Sequence, residues 1–155
     1  MKKTPVIILA GGFGTRLSAV VKDVPKPMAP IHGKPFLHYI FKELAFQRIE
    51  NVVLSVGYLN TIIQDFFKDT YLGINIQYAI EEEPLGTGGA IKHAFKYIDE
   101  DAFILNGDTF FDIPLSNLIN THSDITIALK PMFEFDRYGT VELDSSNRIL
   151  SFKEK

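Results

Sequence analysis

Apolar positions along this chain alternate between short unbroken runs and longer stretches with helical spacing. Val6-Ile7-Ile8-Leu9 is an unbroken run and predicts a strand buried on both faces. From Pro35 through Arg48 the apolar residues Phe36, Leu37, Ile40, Phe41 and Leu44 recur as one face of a helix. Asn51 to Val56, rich in valine and leucine, predicts a second strand, and Asn60 to Lys68 a helix with Ile62, Ile63, Phe66 and Phe67 on one face. Ile74 to Ile80 alternates apolar with polar, the mark of a third strand. A helix is expected from near Gly88-Gly89 to about Ile98, then a strand from Ala102 to Leu105 running into Asn106-Gly107-Asp108. Leu115 to Thr121 reads as a short helix and Ile125 to Leu129 as a strand. The tail, Thr140 to Glu154, holds two short strands turning at Asp144 to Asn147.

Strands alternating with helices predict an α/β domain with a mainly parallel sheet covered on both faces. Ligands on such sheets sit beyond the carboxyl ends of the strands. The glycine-rich segment after Leu9, the segment Glu81 to Gly89 and Asp108 all fall at or just after strand ends, so they are expected to converge on one crevice. A length of 155 residues suits one domain spanning 1–155 and buries roughly 68–70% of its unfolded surface. The net charge of −3 argues against a nucleic-acid or membrane-surface role, since both favour a clustered positive balance. With no cysteine there is neither a disulfide framework nor a thiolate zinc site. Met1-Lys2-Lys3 resembles the start of a signal peptide, but the short apolar run after it leads into glycines rather than a cleavage site, so a cytoplasmic protein is expected. No pattern here reports oligomeric state, and a homo-oligomer is compatible with all of it.

The chemistry begins at Leu9-Ala10-Gly11-Gly12-Phe13-Gly14-Thr15-Arg16-Leu17, a strand that empties into a loop with three glycines and an arginine. Glycines permit close approach of the backbone, so consecutive N–H groups can converge on an anion while Arg16 adds a forked cation. A dinucleotide fingerprint would need its last glycine where Leu17 stands, and a Walker A loop would need glycine and lysine where the chain has Arg16-Leu17. The loop is a phosphate loop of another kind. The alternative, a strand-to-helix turn without a ligand, leaves the three glycines and the arginine unexplained together.

The pattern continues with Asp23-Val24-Pro25-Lys26-Pro27-Met28, and with Pro35, Gly57-Tyr58, Glu81 to Ile91, Asn106-Gly107-Asp108, Tyr138-Gly139-Thr140 and Phe152-Lys153-Glu154-Lys155. In this order and over nearly the whole chain, it resembles the sugar-phosphate nucleotidyltransferase family. Within that family it is most similar to the guanylyltransferases acting on mannose-type or heptose 1-phosphates, those for D-glycero-D-manno-heptose 1-phosphate above all. The resemblance implies a Rossmann-like three-layer αβα sandwich of the nucleotide-diphospho-sugar transferase type. It also implies the reaction of GTP with a sugar 1-phosphate to give a GDP-sugar and pyrophosphate. Use of UTP, dTTP or CTP instead, or a nucleotide-binding fragment without turnover, are the alternatives.

Such a transfer needs no side-chain nucleophile, because the attacking phosphate oxygen is already anionic; the enzyme must hold two polyanions together and neutralise charge. By resemblance Leu9, Gly11, Gly12, Gly14, Thr15 and Arg16 hold the nucleotide, with Arg16 against the departing pyrophosphate. Lys26 is aimed by Pro25 and Pro27, and the resemblance implies that it meets the triphosphate, although spacing alone suits a solvated loop lysine equally. Asp108 offers a hard carboxylate suited to Mg²⁺, although strand-end aspartates are often only turn formers. Counting back from Gly86, Glu81 occupies the place where thymidylyl- and uridylyltransferases carry glutamine. A carboxylate there can accept both the ring N–H and the amino N–H of guanine; Glu82 and Glu83 compete for the role by one or two residues of alignment. Gly86 and Thr87 bring the backbone near base and ribose at a helix N-terminus. On the acceptor side the resemblance assigns Tyr138, Gly139, Glu154 and Lys155 to the sugar phosphate, together with Asp108. Family members continue past the equivalent of Lys155 with a region supplying more sugar contacts and a second metal-binding aspartate, so the chain is expected to be truncated before it.

Overall fold

The computed structural model describes residues 4–12, 24–119, 124–133 and 139–153. The chain divides into two compact units, Met1–Asn117 and Leu118–Lys155.

In the first unit the strands β1 (Val6–Leu9), β2 (Pro30–Ile31), β3 (Lys34–Pro35), β4 (Asn51–Val56), β5 (Thr70–Tyr71), β6 (Ile74–Ile80) and β7 (Phe103–Asn106) alternate with α1 (Phe36–Phe46), α2 (Asn60–Phe67) and α3 (Gly86–Ala94). Among the described residues five strands form the main sheet in the order β5-β6-β4-β1-β7. β1 pairs in parallel with β4 on one side and β7 on the other, and β4 pairs in parallel with β6; only β5 is antiparallel. From β1 the chain steps through α1 to β4 and through α2 to β6, then crosses back through α3 to β7. Right-handed crossovers in opposite directions put α1 and α2 on one face and α3 on the other, giving three layers.

Burial follows from that arrangement. Val6, Ile7 and Ile8 are consecutive and all fully buried, as a central strand covered on both faces requires. On one face Ile7, Val53 and Ala79 pack with Ala94 of α3, joined by Leu9, Ile98 and Ala102. Along α1 the buried residues are Leu37, Ile40, Phe41 and Leu44, and along α2 they are Ile63 and Phe67. Phe41 stacks on Phe67 with ring centroids 4.9 Å apart, and Tyr71 meets Phe67 edge-on at 4.7 Å. No helix among the described residues is long and apolar enough to cross a membrane.

Several boundaries differ from expectation for identifiable reasons. α1 stops at Phe46 rather than Arg48 because Arg48 takes the left-handed conformation, with φ of 60°. The Arg48 N–H then reaches Ala45 O and the Ile49 N–H reaches Leu44 O, both at 3.0 Å, which closes the helix as a Schellman motif. α3 begins at Gly86, two residues early, and ends at Ala94, passing into a 3₁₀ turn over Phe95–Tyr97. Leu115–Leu118 is likewise a 3₁₀ turn, tied to α1 by Gln47, which donates to Ile113 O at 3.0 Å and accepts from Leu115 N–H at 2.7 Å. The sequence pattern does not reveal β2–β3 and β5–β6, two hairpins turning at His32-Gly33 and Leu72-Gly73. All four turn residues have positive φ, the two-residue geometry that suits hairpin twist.

The strand expected at Ile125 to Leu129 is not formed. Its alternation is real, yet Ile125, Ile127 and Leu129 are 79%, 48% and 44% exposed. A strand needs a ladder partner for its backbone groups, and no described strand pairs with this segment. The second unit does hold the expected hairpin, β8 (Thr140–Leu143) with β9 (Ile149–Lys153). Asp144 fixes its turn, accepting from the N–H groups of Ser146 and Arg148 at 2.8 Å each. Those bonds hold the Asp144 carboxyl below its ordinary range, and ion pairing with Lys153 does the same for Glu142.

Candidate functional site

The parallel strands β6, β4, β1 and β7 all run the same way, so their carboxyl ends share one edge. Along that edge stand Glu81 after β6, Gly57 after β4, Ala10 to Gly12 after β1, and Gly107-Asp108 after β7. Sequence direction changes between β1 and β7, and open α/β sheets bind ligands at such a reversal.

Two close backbone approaches build this edge. The Gly107 N–H donates to Leu9 O at 2.8 Å. A Cβ on Gly107 would come within 2.9 Å of that same oxygen and 3.2 Å of the Ala10 side chain, so only glycine lets the end of β7 lie against the end of β1. On the other flank a Cβ on Gly11 would meet Glu81 Oε1 at 2.7 Å, so the carboxylate of Glu81 rests directly on the glycine loop.

Glu81 is held at several points. Its Oε1 accepts from the Ser55 hydroxyl at 2.9 Å, its Oε2 from the Leu85 N–H at 3.2 Å, and its own N–H donates to Val56 O at 2.8 Å. It lies half-buried in the wall of a crevice of about 450 Å³, lined also by Gly11, Gly57 to Asn60, Ile80 and Glu82 to Pro84. Glu82 and Glu83 are exposed, and no described side-chain bond fixes them. Of the three glutamates, Glu81 is therefore the one held against the loop. The far wall starts α2, where Asn60 caps its own turn by donating its side-chain amide to Gly57 O at 2.9 Å.

Lys26 opens the 3₁₀ turn Lys26–Met28, where Pro25, Pro27 and Met28 are buried and fix the backbone beneath it. Its Nζ reaches Asp108 Oδ2 at 2.5 Å, an ion pair about one-third exposed on both sides. Thr109 donates to the other oxygen, Oδ1, at a longer 3.3 Å. Two residues singled out separately in the sequence, 82 positions apart, thus meet at the β1–β7 end of the edge.

The remaining expected site residues divide as follows. Gly12 is exposed, with open space where a Cβ would stand. Gly86 opens α3 with φ of +68°, and Thr87 follows it, exposed. Gly139 immediately precedes β8 in the second unit. Gly14, Thr15, Arg16, Tyr138, Glu154 and Lys155 lie outside the described residues. No group of three His, Cys, Asp or Glu among the described residues could hold a metal ion. Away from the edge, burial and then nearby Asp69 push the Tyr78 phenol up to about 12, so it stays protonated and donates to Lys68 O at 2.6 Å. Sequence reasoning missed Ser55, although a serine inside the apolar run Val52 to Val56 was itself a signal.

The chain is similar to several known proteins. D-glycero-α-D-manno-heptose 1-phosphate guanylyltransferase of Campylobacter jejuni is 56% identical over 149 residues, covering 96% of this chain and 67% of that protein. The enzyme of the same name from Aneurinibacillus thermoaerophilus is 54% identical over 154 residues, covering 96% of this chain and 66% of that one. The chain thus spans about two-thirds of the length of these relatives. The crystal structure of HddC from Yersinia pseudotuberculosis complexed with GMP-PN superposes with a TM-score of 0.85 at 40% identity, over 99% of this chain and 70% of that one. With the pattern of the family described as nucleotidyl transferase matching residues 5–155, the chain belongs to that family.

Proposed function

We propose that this protein transfers GMP from GTP to D-glycero-α-D-manno-heptose 1-phosphate, giving the GDP-sugar and pyrophosphate. An anionic oxygen of the sugar phosphate attacks the α-phosphorus, the bond to the bridging oxygen breaks, and pyrophosphate leaves with that electron pair. The observation that carries the reading is Glu81. Its carboxylate is half-buried, oriented on both oxygens and set on Gly11, where a nucleotide entering along the glycine loop would present its base edge. An ionised carboxylate accepts only, which suits the two adjacent donors of guanine and repels the carbonyl edges of uracil and thymine. In this reading Gly11, Gly12 and Arg16 take the phosphates, Lys26 neutralises the triphosphate, and Tyr138, Gly139, Glu154 and Lys155 serve the sugar phosphate. The setting is the cytoplasm.

Asp108 fits a magnesium ion as a single hard donor. Mg²⁺ keeps several waters and takes one or two carboxylates with substrate phosphates, so it does not require a cage of protein ligands. Among the described residues Asp108 Oδ1 carries only the long Thr109 bond, which leaves an oxygen to offer. When bound, the ion would spread the negative charge of the phosphates. Asp108→Asn keeps the shape and removes the charge. GTP affinity measured in Mg²⁺ is expected to fall by at least the roughly 10–100-fold typical of disturbed metal sites, with little change in chelator. An unchanged Mg²⁺ effect would make Asp108 a partner of Lys26 only.

Pyrophosphate release in the presence of heptose 1-phosphate and each nucleoside triphosphate in turn tests the whole reading. Release with GTP above UTP, dTTP and CTP is expected. Equal release with UTP would overturn the guanylyl assignment, and GTP binding without any release would leave a nucleotide-binding module.

A further inference from the structure

Ser55 is fully buried, a polar residue within an otherwise apolar core among the described residues. Its neighbours in β4, Val52, Val53, Leu54 and Val56, are buried and apolar, as the centre of a parallel sheet demands. A hydroxyl in that company needs a partner, and its partner is Glu81 Oε1 at 2.9 Å. The Leu85 N–H takes the other oxygen at 3.2 Å, from the turn that opens α3. Donors from two different elements therefore fix both arms of one carboxyl group and with them the plane in which it lies. The Leu85 N–H can only donate, and the Ser55 hydroxyl donates to a carboxylate that has no hydrogen of its own to give.

We propose that Ser55 is a positioning residue for base selection. It turns the Glu81 carboxylate so that the lone pairs left free by Ser55 and Leu85 face the crevice side by side, matched to the ring N–H and the 2-amino group of guanine. Gly11 completes the device, because a Cβ there would stand 2.7 Å from Oε1 and push the carboxylate out of this position. This role rests on Glu81 as the reader of the base. Ser55 itself touches no substrate; it acts through the orientation of Glu81. Without the hydroxyl, Glu81 keeps its charge but loses one of the two bonds that set its plane. Recognition of the 2-amino group, which depends on angle as well as charge, suffers most.

The test compares dissociation constants for GTP, ITP (which lacks the 2-amino group) and UTP in the unmodified protein, Ser55→Ala and Ser55→Thr. Ratios measured on one preparation cancel any difference in folded fraction. The unmodified protein is expected to prefer GTP over ITP by about tenfold or more, the scale of one hydrogen bond to a charged group. Ser55→Ala is expected to bring that preference down to about twofold, and Ser55→Thr, which keeps the hydroxyl, to retain most of it. An unchanged GTP-to-ITP ratio in Ser55→Ala would overturn the proposal, as would a threonine variant that loses the preference as fully as alanine. If the unmodified protein prefers GTP over UTP yet binds ITP equally well, the positioning role falls while the guanylyl reading stands. If it does not distinguish GTP from UTP, the guanylyl reading falls and takes the positioning role with it.

Discussion

Glu81→Gln is expected to lower GTP affinity and to narrow the gap between GTP and UTP by at least about tenfold. The carboxylate now presents acceptors on both arms, held by Ser55 and Leu85. An amide presents one acceptor and one donor. The Leu85 N–H requires the amide oxygen, so the amide nitrogen turns to Ser55, whose hydroxyl can reverse and accept. The arm beside Gly11 then offers its second N–H to the crevice where the carboxylate offered a lone pair. Guanine loses an acceptor for one of its two donors, while the carbonyl of uracil gains a donor. Sites that reject a ligand by leaving buried polar groups unpaired discriminate by up to roughly 10⁴-fold, and such discrimination disappears when the unpaired group finds a partner. Binding of both triphosphates to both forms measures it. A glutamine variant with the GTP-to-UTP ratio of the unmodified protein would remove Glu81 from base recognition.

Phe67→Ala is expected to cost about 3–5 kcal/mol of stability, the range for deleting a large aromatic side chain from a core. Phe67 is fully buried. It stacks on Phe41 at 4.9 Å with ring planes 25° apart, and meets the rings of Tyr71 at 4.7 Å and Phe66 at 4.8 Å. These partners come from α1, α2 and β5, so the cavity cannot close without moving three elements at once. At roughly 2–4 °C per kcal/mol for a chain of this size, the melting temperature should drop by about 6–20 °C. None of the four rings lines the crevice, so GTP affinity of the folded variant should stay within about twofold. A shift below about 3 °C would mean that the aromatic cluster adds little beyond its shape.

Most of the sheet was legible in the sequence because periodicity is a strong signal where burial is strong. Asn51–Val56 and Ile74–Ile80 have the bounds their patterns predict. Burial also explains the one strand that failed: Ile125 to Leu129 has the alternation, but no described strand takes up its backbone hydrogen bonds. The two hairpins were hidden by length, since two-residue strands carry no period; their only sign is a glycine second in each turn, Gly33 and Gly73. Arg48 hid the end of α1, because arginine in place of the usual glycine gives no stop signal. In the site, residue type, spacing and the family resemblance together pointed to Lys26, Glu81 and Asp108. They could not show that Lys26 pairs with Asp108, or that Ser55 pairs with Glu81, since both pairs are made by strand order and the chain is read in sequence order.

The central place of β1 also sets a timetable. Val6 lies beside Val52 on one flank and Phe103 on the other, so the strand bearing the glycine loop finds its second neighbour only 97 residues further along the chain (103 − 6). Distant pairings must bear the entropy of closing a long loop before any contact rewards it, whereas the β5–β6 hairpin and the turns of α1 close over a few residues. During synthesis the loop after Leu9 leaves the ribosome ahead of both flanking strands and is framed only once Gly107 arrives to bond Leu9 O. The local hairpin and α1 are expected to form ahead of the crevice, and a nascent chain paused before residue 103 should bind no nucleotide even where its helices are already in place.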